Sequence, residues 1–248
     1  MLRGNYRQSD YGKVILPLTV LRRFDCVLAP TKEATLKRLA SLKDTNVKNI
    51  DPILNRTAGQ SFHNKSPYDF EKLKADPNKI AANLANYINS FSAGTREILE
   101  YFNFGEHIQR LDADNLLYLI VSRFSEIDLH PDKVSNLEMG YIFEELIRKF
   151  AEQSNETAGE HFTPREVIRL MVNLLFIEDS EALRKKGVVR TLYDPACGTG
   201  GMLSIAEDYV RELNADARLE VFGQEINPES NAICKADMLN QGPERAEH

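Results

Sequence analysis

The sequence has no run of apolar residues that approaches the roughly 18 needed for a membrane-spanning helix. Its first residues, Met-Leu-Arg-Gly-Asn-Tyr, lack the apolar core of a secretory signal. The three cysteines, Cys26, Cys197 and Cys234, form neither an even disulfide framework nor a closely spaced metal-binding pair. These absences predict a protein of the reducing cytoplasm, with no membrane segment and no metal site.

The chain also has no excess of positive charge, since the formal net charge of its 248 residues is −6. Overall charge therefore gives no sign of nucleic-acid binding. Residues 1–78 nevertheless hold 14 Lys and Arg against 8 Asp and Glu. This basic segment fits either a surface for an anionic partner or an ordinary solvated helical surface. The length allows one large or two modest domains.

Residues 1–150 are predicted to be almost wholly helical, because apolar residues recur every three or four positions. Predicted caps are Thr31, Asp76 and the capping box Ser135-Asn136-Leu137-Glu138. The segment 44–78 is polar and interrupted by proline and glycine, which predicts a loop with short turns. The predicted helices are Asp10–Ala29, 31–42, 77–91, Gly94–Asn103, Gly105–Leu111, Asn115–Glu126 and one from 135 to about 150.

From Val188 to Met202 the pattern changes. A short run rich in β-branched residues predicts a buried parallel strand, and Asp194-Pro195 predicts a sharp turn. Gly198, Gly200 and Gly201 follow, and a helical pattern starts at Met202. A strand, a glycine-rich turn and a helix form a cradle, in which backbone approaches a ligand closely and the helix N-terminus presents unpaired N–H groups.

The glycine spacing excludes two common nucleotide-binding loops. A dinucleotide fingerprint would need its third glycine at Leu203, and a phosphate-binding P-loop would need a lysine after the glycines. What is present, Asp-Pro-Ala-Cys-Gly-Thr-Gly-Gly, resembles the S-adenosylmethionine loop of amino-methyltransferases. A tight strand-to-helix turn that holds no ligand is the alternative.

Two segments flank this loop. Thr163-x-x-Glu166 forms a capping box with Pro164 at the first helical position, which predicts a helix to about Phe176. Glu225 follows the second predicted strand, where a carboxylate can accept hydrogen bonds from both hydroxyls of a ribose. Each segment has a purely structural explanation by itself, a helix start or a surface glutamate. Beside the glycine loop, they predict a cofactor site.

These segments, behind a helical half, resemble the modification (methyltransferase) subunit of type I restriction-modification systems. The resemblance rests on 194–201, on Phe162-Thr163-Pro164-Arg165 and on 223–228, with support from 9–18 and 140–146. It implies a mainly α N-terminal domain at 1–150 and, at 155–248, the start of an α/β, Rossmann-like methyltransferase domain. It also implies methyl transfer from S-adenosylmethionine to the exocyclic amine of adenine in double-stranded DNA, within a complex with specificity and restriction subunits.

The resemblance further implies which residues bind the cofactor. Glu225 would hold the ribose, Asp194 the loop amides or the cofactor's amino end, and Asp237 the region of the cofactor's adenine. The other implied cofactor-binding residues are Glu160, His161, Phe162, Thr163, Pro164, Arg165, Gly198, Thr199, Gly200 and Gly201.

One motif of adenine-amino methyltransferases is missing, the tetrapeptide Asn/Asp/Ser-Pro-Pro-aromatic. In it, a side-chain oxygen and a proline carbonyl accept the two N–H bonds of the amine, while the ring stacks on the flipped base. Asn227-Pro228 continues with Glu229, and Ser66-Pro67 continues with Tyr68. The chain also ends two predicted strands into its sheet. We therefore expect no catalytic residue here, no DNA methylation by this chain alone, and either an expressed fragment or a truncated gene.

Two other functions stay open. A non-catalytic assembly module would dock partner subunits through its helical half. An amino-methyltransferase acting on protein or RNA would carry the same loop, because the loop recognises the cofactor and not the acceptor. The helical half favours the restriction-modification interpretation.

Overall fold

The structure, a computed structural model, describes residues 2, 6–43, 45, 47–154 and 163–240. It confirms the expected order of a mainly α domain followed by the start of an α/β domain. The first half contains α1 (Gly12–Leu28), α2 (Lys32–Leu42), α3 (Asp51–Ala58), α4 (Phe70–Leu73), α5 (Ile80–Asn89), α6 (Ala93–Glu100), α7 (Phe104–Ala113), α8 (Leu117–Ser125) and α9 (Asn136–Ser154). The second half contains α10 (Arg165–Phe176), α11 (Ser180–Leu183), β1 (Val189–Asp194), α12 (Gly201–Leu213), β2 (Arg218–Gly223) and α13 (Pro228–Asn240).

Helix α1 is the centre of the helical half, because most of its residues are buried by the helices around it. Its Phe24 ring packs against Phe62 and Phe91, with ring centroids 4.7 and 5.8 Å apart. Tyr87 meets Phe91 edge to face at 5.2 Å. Aromatic pairs of this kind stabilise the fold by about 0.5–1.5 kcal/mol beyond the contribution of the apolar area that they bury. The apolar residues that recur along this helix therefore lie in the hydrophobic core, as the sequence predicted.

The prediction of a loop with short turns at 44–78 is wrong, because the helices α3 and α4 lie within it. Pro52 stands in the first turn of α3, where its missing N–H leaves no helical bond unmade. Gly59 ends the same helix in the left-handed conformation, with φ 66°. Asp69 caps α4 by accepting a hydrogen bond from the Lys72 amide. The proline and glycine that suggested a broken segment are the two ends of a helix.

The capping box at Ser135 is confirmed. The Glu138 amide donates to Ser135 Oγ at 3.2 Å, and the Ser135 amide donates to Glu138 Oε2 at 2.8 Å. Thr31 and Asp76 stand at the predicted N-cap positions, but neither side chain accepts a hydrogen bond from the helix that follows. The Thr31 hydroxyl instead donates to the Ala58 carbonyl at 3.0 Å and so ties α2 to α3.

In the second half, β1 and β2 pair in parallel, from Val189 opposite Arg218 to Asp194 opposite Gly223. Helix α12 connects them, as in a βαβ unit. It packs on α10 through buried apolar residues of both helices, and Phe176 stacks on Tyr209 with a centroid distance of 5.7 Å. Both strands therefore end at the same edge of the sheet, beside the N-terminus of α12.

Helix α13 follows β2 in the chain but packs on the helical half. Its Ala232, Ile233 and Ala236 belong to the same apolar core as α1 and α9. The two halves thus share a buried surface, while the bounds 1–150 and 155–248 remain predictions. Within the described part of the chain, no helix is both long and apolar enough to cross a membrane.

Candidate functional site

An open cleft of about 630 Å³ lies at the carboxyl ends of β1 and β2. Clefts that bind cofactors usually measure about 300–1,000 Å³ and lie at this edge of a parallel sheet. The cleft is lined by Glu144, Thr163, Ile168, Met171, Asp194, Ala196, Cys197, Gly198, Thr199, Gly201, Met202, Glu225, Ile226, Asn227 and Ser230. The structure therefore brings together Thr163, Asp194, Gly198, Thr199, Gly201 and Glu225, which the sequence had proposed from three separate segments.

The glycine loop adopts a conformation that other residues would strain. Gly198 and Gly200 have φ of 55° and 87°, in the left-handed region. A Cβ at Gly198 would meet no atom within 4 Å, so the backbone there borders open space. Gly200 immediately precedes α12, whose first turn has no side-chain cap in the described structure. The amides of that turn are therefore available to an anionic or polar ligand.

Two backbone hydrogen bonds join the glycine loop to the segment after β2. The Cys197 amide donates to the Gln224 carbonyl at 2.9 Å, and the Gln224 amide donates to the Asp194 carbonyl at 2.9 Å. Asp194 Oδ1 also accepts from the Ala196 amide at 3.0 Å, which stabilises the turn before the glycines. These bonds hold the loop against the end of β2.

Glu225 makes the most direct contact between the two sides of the cleft. Its Oε2 accepts from the Gly198 amide at 2.9 Å, and its Oε1 accepts from the Asn227 amide at 2.7 Å. A carboxylate has about four lone-pair positions, so each oxygen keeps acceptor capacity for a ligand. The sequence suggested only a ribose-binding role. The structure adds that Glu225 braces the glycine loop.

Gly200 is the loop position that tolerates substitution least. A Cβ there would lie 2.7 Å from Cys234 Sγ, in addition to the strain of positive φ. We expect Gly200→Ala to lower the unfolding free energy by roughly 1–2 kcal/mol through strain, and by about 1–3 kcal/mol more through the clash. Urea-denaturation midpoints measure this change.

Gly187 and Gly198 are matched controls for that prediction, with φ of 68° and 55° and no atom near the added Cβ. Their alanine variants should show the strain cost alone. Equal losses at Gly187, Gly198 and Gly200 would contradict the contact with Cys234.

Arg165 and its neighbours differ from the local structure predicted for them. Helix α10 begins at Arg165, with Pro164 as its capping residue and no side-chain cap bond, so the capping box at Thr163 is wrong. Thr163 is exposed and lines the cleft. The Arg165 guanidinium turns away to Glu144 of α9, with 2.9 Å between Nη2 and Oε1. Its cofactor contact stays a prediction.

Asp237 lies behind the glycine loop. It is buried on α13, accepts from Ser204 Oγ of α12 at 3.2 Å, and borders a small cavity shared with Thr199 and Gly201. Its contact with the cofactor's adenine stays a prediction.

Glu160, His161 and Phe162 lie outside the described residues, and their roles stay predictions too.

Cys197 and Cys234 meet beneath the loop, although they are far apart in the sequence. Both are buried and pack with Leu203. A hydrogen bond between the thiols lowers the pKa of Cys197 and raises the pKa of Cys234. Within the described residues, no group of three or more His, Cys, Asp or Glu side chains is placed to hold a metal ion. The contact with Leu203 shows that the two thiols contribute packing under the glycine turn.

Sequence reasoning missed several residues of the cleft wall, among them Glu144 and Asn227. Asn227 Oδ1 accepts from the amides of Glu229 and Ser230, at 2.9 and 3.0 Å, and so caps α13 before Pro228. This Asn-Pro pair is a helix start. Glu144 lies in the segment 140–146, which the sequence assigned to the helical half and not to the cofactor site. The signal that could have found it is a buried acidic position on an apolar helix face.

Comparison with known proteins finds two matching families and several relatives. Residues 1–124 match the family described as HsdM N-terminal domain, and residues 135–247 match the family described as N-6 DNA Methylase. The chain is 32% identical over 136 residues to the type I restriction enzyme EcoEI methylase subunit of Escherichia coli, covering 52% of this chain and 25% of that protein. It is 30% identical over 170 residues to the type I restriction enzyme MjaVII methylase subunit of Methanocaldococcus jannaschii. That match covers 67% of this chain and 27% of that protein.

Among solved structures, the fold resembles that of the type I restriction-modification system methyltransferase subunit from Streptococcus thermophilus. The TM-score is 0.65 at 22% sequence identity, and the match covers 98% of this chain and 54% of that one. The present chain thus spans about a quarter of the length of the curated relatives above and about half of this structural neighbour.

Proposed function

The chain belongs to the family of the HsdM N-terminal domain, which covers half of it, and from this premise we propose that its cleft binds S-adenosylmethionine for type I DNA modification. In that function, a methyl group passes from the cofactor to the exocyclic amine of adenine in double-stranded DNA. The relatives above are named as methylase subunits of type I restriction enzymes.

The observation that carries the proposal is the position of Glu225 opposite the glycine loop. The Gly198 amide and the Glu225 carboxylate are already 2.9 Å apart, at the end of two parallel strands. A nucleoside bound across this edge would meet backbone on one side and a carboxylate on the other. Amides and a carboxylate suit the polar groups of a nucleoside, and the absent Cβ at Gly198 leaves room for it.

The residues of the cleft fit S-adenosylmethionine in separate parts. Glu225 would accept hydrogen bonds from the ribose hydroxyls, while Asp194 would hold the amino end. Thr163 and the start of α10 would border the methionine portion. Gly198 to Gly201 would let the backbone approach closely. When bound, the cofactor would supply an electrophilic methyl group, and the described residues would position it.

The acceptor half of the reaction needs groups that the described cleft does not supply. An adenine amine requires two hydrogen-bond acceptors and a stacking ring. Asn227 uses its side-chain oxygen to cap α13, so it is not placed for that role. We therefore expect this chain alone to leave DNA unmethylated.

The proposed partners follow from the same family. The helical half would dock specificity and restriction subunits, with double-stranded DNA as substrate and the cytoplasm as location. Sequence recognition would then belong to the specificity subunit. A pull-down with that subunit separates this assembly from an amino-methyltransferase that acts on protein or RNA, because the latter needs no such partner.

Calorimetric titration of the folded chain with S-adenosylmethionine tests the proposal. Saturable one-to-one binding is the expected result, together with no transfer of labelled methyl groups to DNA. A folded chain that does not bind the cofactor would overturn the proposed cofactor site and favour the non-catalytic assembly module. Labelled methyl groups in adenine would refute the expected inactivity.

A further inference from the structure

Arg165 and Glu144 form a buried ion pair between two helices, α9 and α10, that are separated in the chain by residues 155–164. Only 5% of the Arg165 side chain and 9% of the Glu144 side chain are exposed. Arg165 Nε lies 3.0 and 3.1 Å from the two carboxylate oxygens, and Nη2 lies 2.9 Å from Oε1. This pair joins the first residue of α10 to α9.

Helix α9 provides a socket for this arginine, formed by Gly140, Tyr141 and Glu144. The guanidinium lies over the Tyr141 ring, 4.2 Å from its centroid. A Cβ at Gly140 would collide with Arg165 Nη2, so only glycine leaves space for the guanidinium there. The carboxylate of Glu144, the ring of Tyr141 and the absent side chain of Gly140 therefore all suit an arginine at this place. A planar, forked guanidinium satisfies this combination and a lysine does not.

The socket also borders the glycine loop, since Glu144, Arg165 and Gly201 line one small cavity. Glu144 Oε1 lies 3.4 Å from where a Cβ on Gly201 would be, and Ile168 Cδ1 lies 3.3 Å from the same point. Glu144, Ile168 and Gly201 all line the proposed cofactor cleft. One ion pair thus joins α9 to α10 beside the first residue of α12.

Stability alone does not account for such a pair. A buried ion pair is often no more stabilising than well-packed apolar residues of the same volume, because removing two charges from water is costly. What the pair specifies is orientation, since three N–H···O contacts and a stacked ring allow one arrangement. If the pair sets orientation, breaking it should weaken ligand binding, and an apolar replacement of both residues should not restore the affinity.

We infer that the Glu144–Arg165 pair is a positioning device for the S-adenosylmethionine cleft, holding α10 and the glycine loop at the separation that the cofactor requires. The inference rests on the proposed function. Neither residue needs to touch the cofactor. The pair acts through Gly201 and through the start of α10, which border the cleft on two sides.

Three variants of the full chain test this role, each measured by calorimetric affinity for S-adenosylmethionine and by thermal unfolding. Glu144→Gln should weaken binding roughly 10- to 100-fold, the usual effect of removing a partner that orients a binding group. The double variant Glu144→Leu/Arg165→Met should recover the unfolding temperature, yet bind no more tightly than Glu144→Gln. Glu145→Gln is the matched control, because Glu145 is exposed and pairs with Arg148 on the same helix.

Gly140→Ala keeps both charges, and it provides the test if the double variant does not fold. Alanine favours the helix by about 1 kcal/mol, while its Cβ displaces the guanidinium. Weaker cofactor binding by a chain that is no less stable supports the positioning role. Affinity equal to that of the unaltered chain, in folded Glu144→Gln or in Gly140→Ala, overturns it.

The proposed function and this inference fail differently. If the unaltered, folded chain does not bind S-adenosylmethionine, the proposed cofactor site is wrong. If it binds, and Glu225→Ala weakens binding while Glu144→Gln does not, the site stands and the positioning role is wrong.

Discussion

Glu225→Ala should weaken S-adenosylmethionine binding at least about 100-fold, which corresponds to roughly 2.7 kcal/mol. The substitution removes the proposed hydrogen-bond acceptor for the ribose. It also removes the carboxylate that accepts from the amides of Gly198 and Asn227, at 2.9 and 2.7 Å. Two effects therefore act together, the lost ligand contact and a glycine loop that is no longer braced.

The magnitude follows from charge-assisted hydrogen bonds, which contribute about 1.5–3 kcal/mol each. Two bonds to ribose hydroxyls would account for a factor of 100 or more, even if water replaces part of the loss. Glu225→Gln should also bind poorly. An amide side chain has a single acceptor oxygen, and its NH₂ group would face one of the two backbone N–H donors.

Calorimetric titration measures this prediction, with Glu220→Ala as the control. Glu220 lies on β2 outside the cleft lining, so its removal leaves the affinity unchanged. A folded Glu225→Ala chain that binds the cofactor as tightly as the unaltered chain would show that the ribose lies elsewhere.

Arg23→Met should lower the unfolding free energy by about 3–5 kcal/mol, because it removes three hydrogen bonds from a charged donor, which contribute about 1.5–3 kcal/mol each before the packing of methionine offsets part of the loss. Arg23 is fully buried in α1. It donates to the Leu129 carbonyl, to the Val134 carbonyl at 2.7 Å and to Asn136 Oδ1 at 2.6 Å. Methionine fills much of the volume but makes none of these three hydrogen bonds.

The same side chain explains how α9 is placed on the core. Leu129, Val134 and Asn136 belong to the segment that leads into α9, so one arginine of α1 anchors the start of that helix. Burial lowers the pKa of Arg23, and the nearby Asp237 carboxylate partly offsets this shift. An arginine keeps its charge at neutral pH nonetheless. Arg23 is therefore a permanent cation that also faces α13 of the second half.

Urea denaturation at neutral pH measures the loss, and Arg123→Met is its control. Arg123 is exposed and lies 3.1 Å from an exposed Glu126, so its removal changes stability by less than about 1 kcal/mol. Similar midpoints for the two variants would show that the buried acceptors near Arg23 find other partners.

Sequence alone determined those features of the protein that depend on neighbouring residues. The amphipathic period specifies the helices of residues 1–150. The strand, glycines and helix from Val188 to Leu213 specify the loop, because positive φ and a helix N-terminus are local properties. The capping box at Ser135 is local in the same sense. Where local signals have two uses, prediction failed: Pro52 and Gly59 indicated a loop and proved to be the ends of α3.

The tertiary structure decided which of these segments meet. Periodicity shows that a face is buried, but not against which partner, so the packing of α13 on the helical half was not predictable. The same holds for Glu225 bracing Gly198, 27 positions away, and for Arg165 turning to Glu144. Hydrogen bonds and ion pairs are short-ranged, and folding alone brings distant residues within that range.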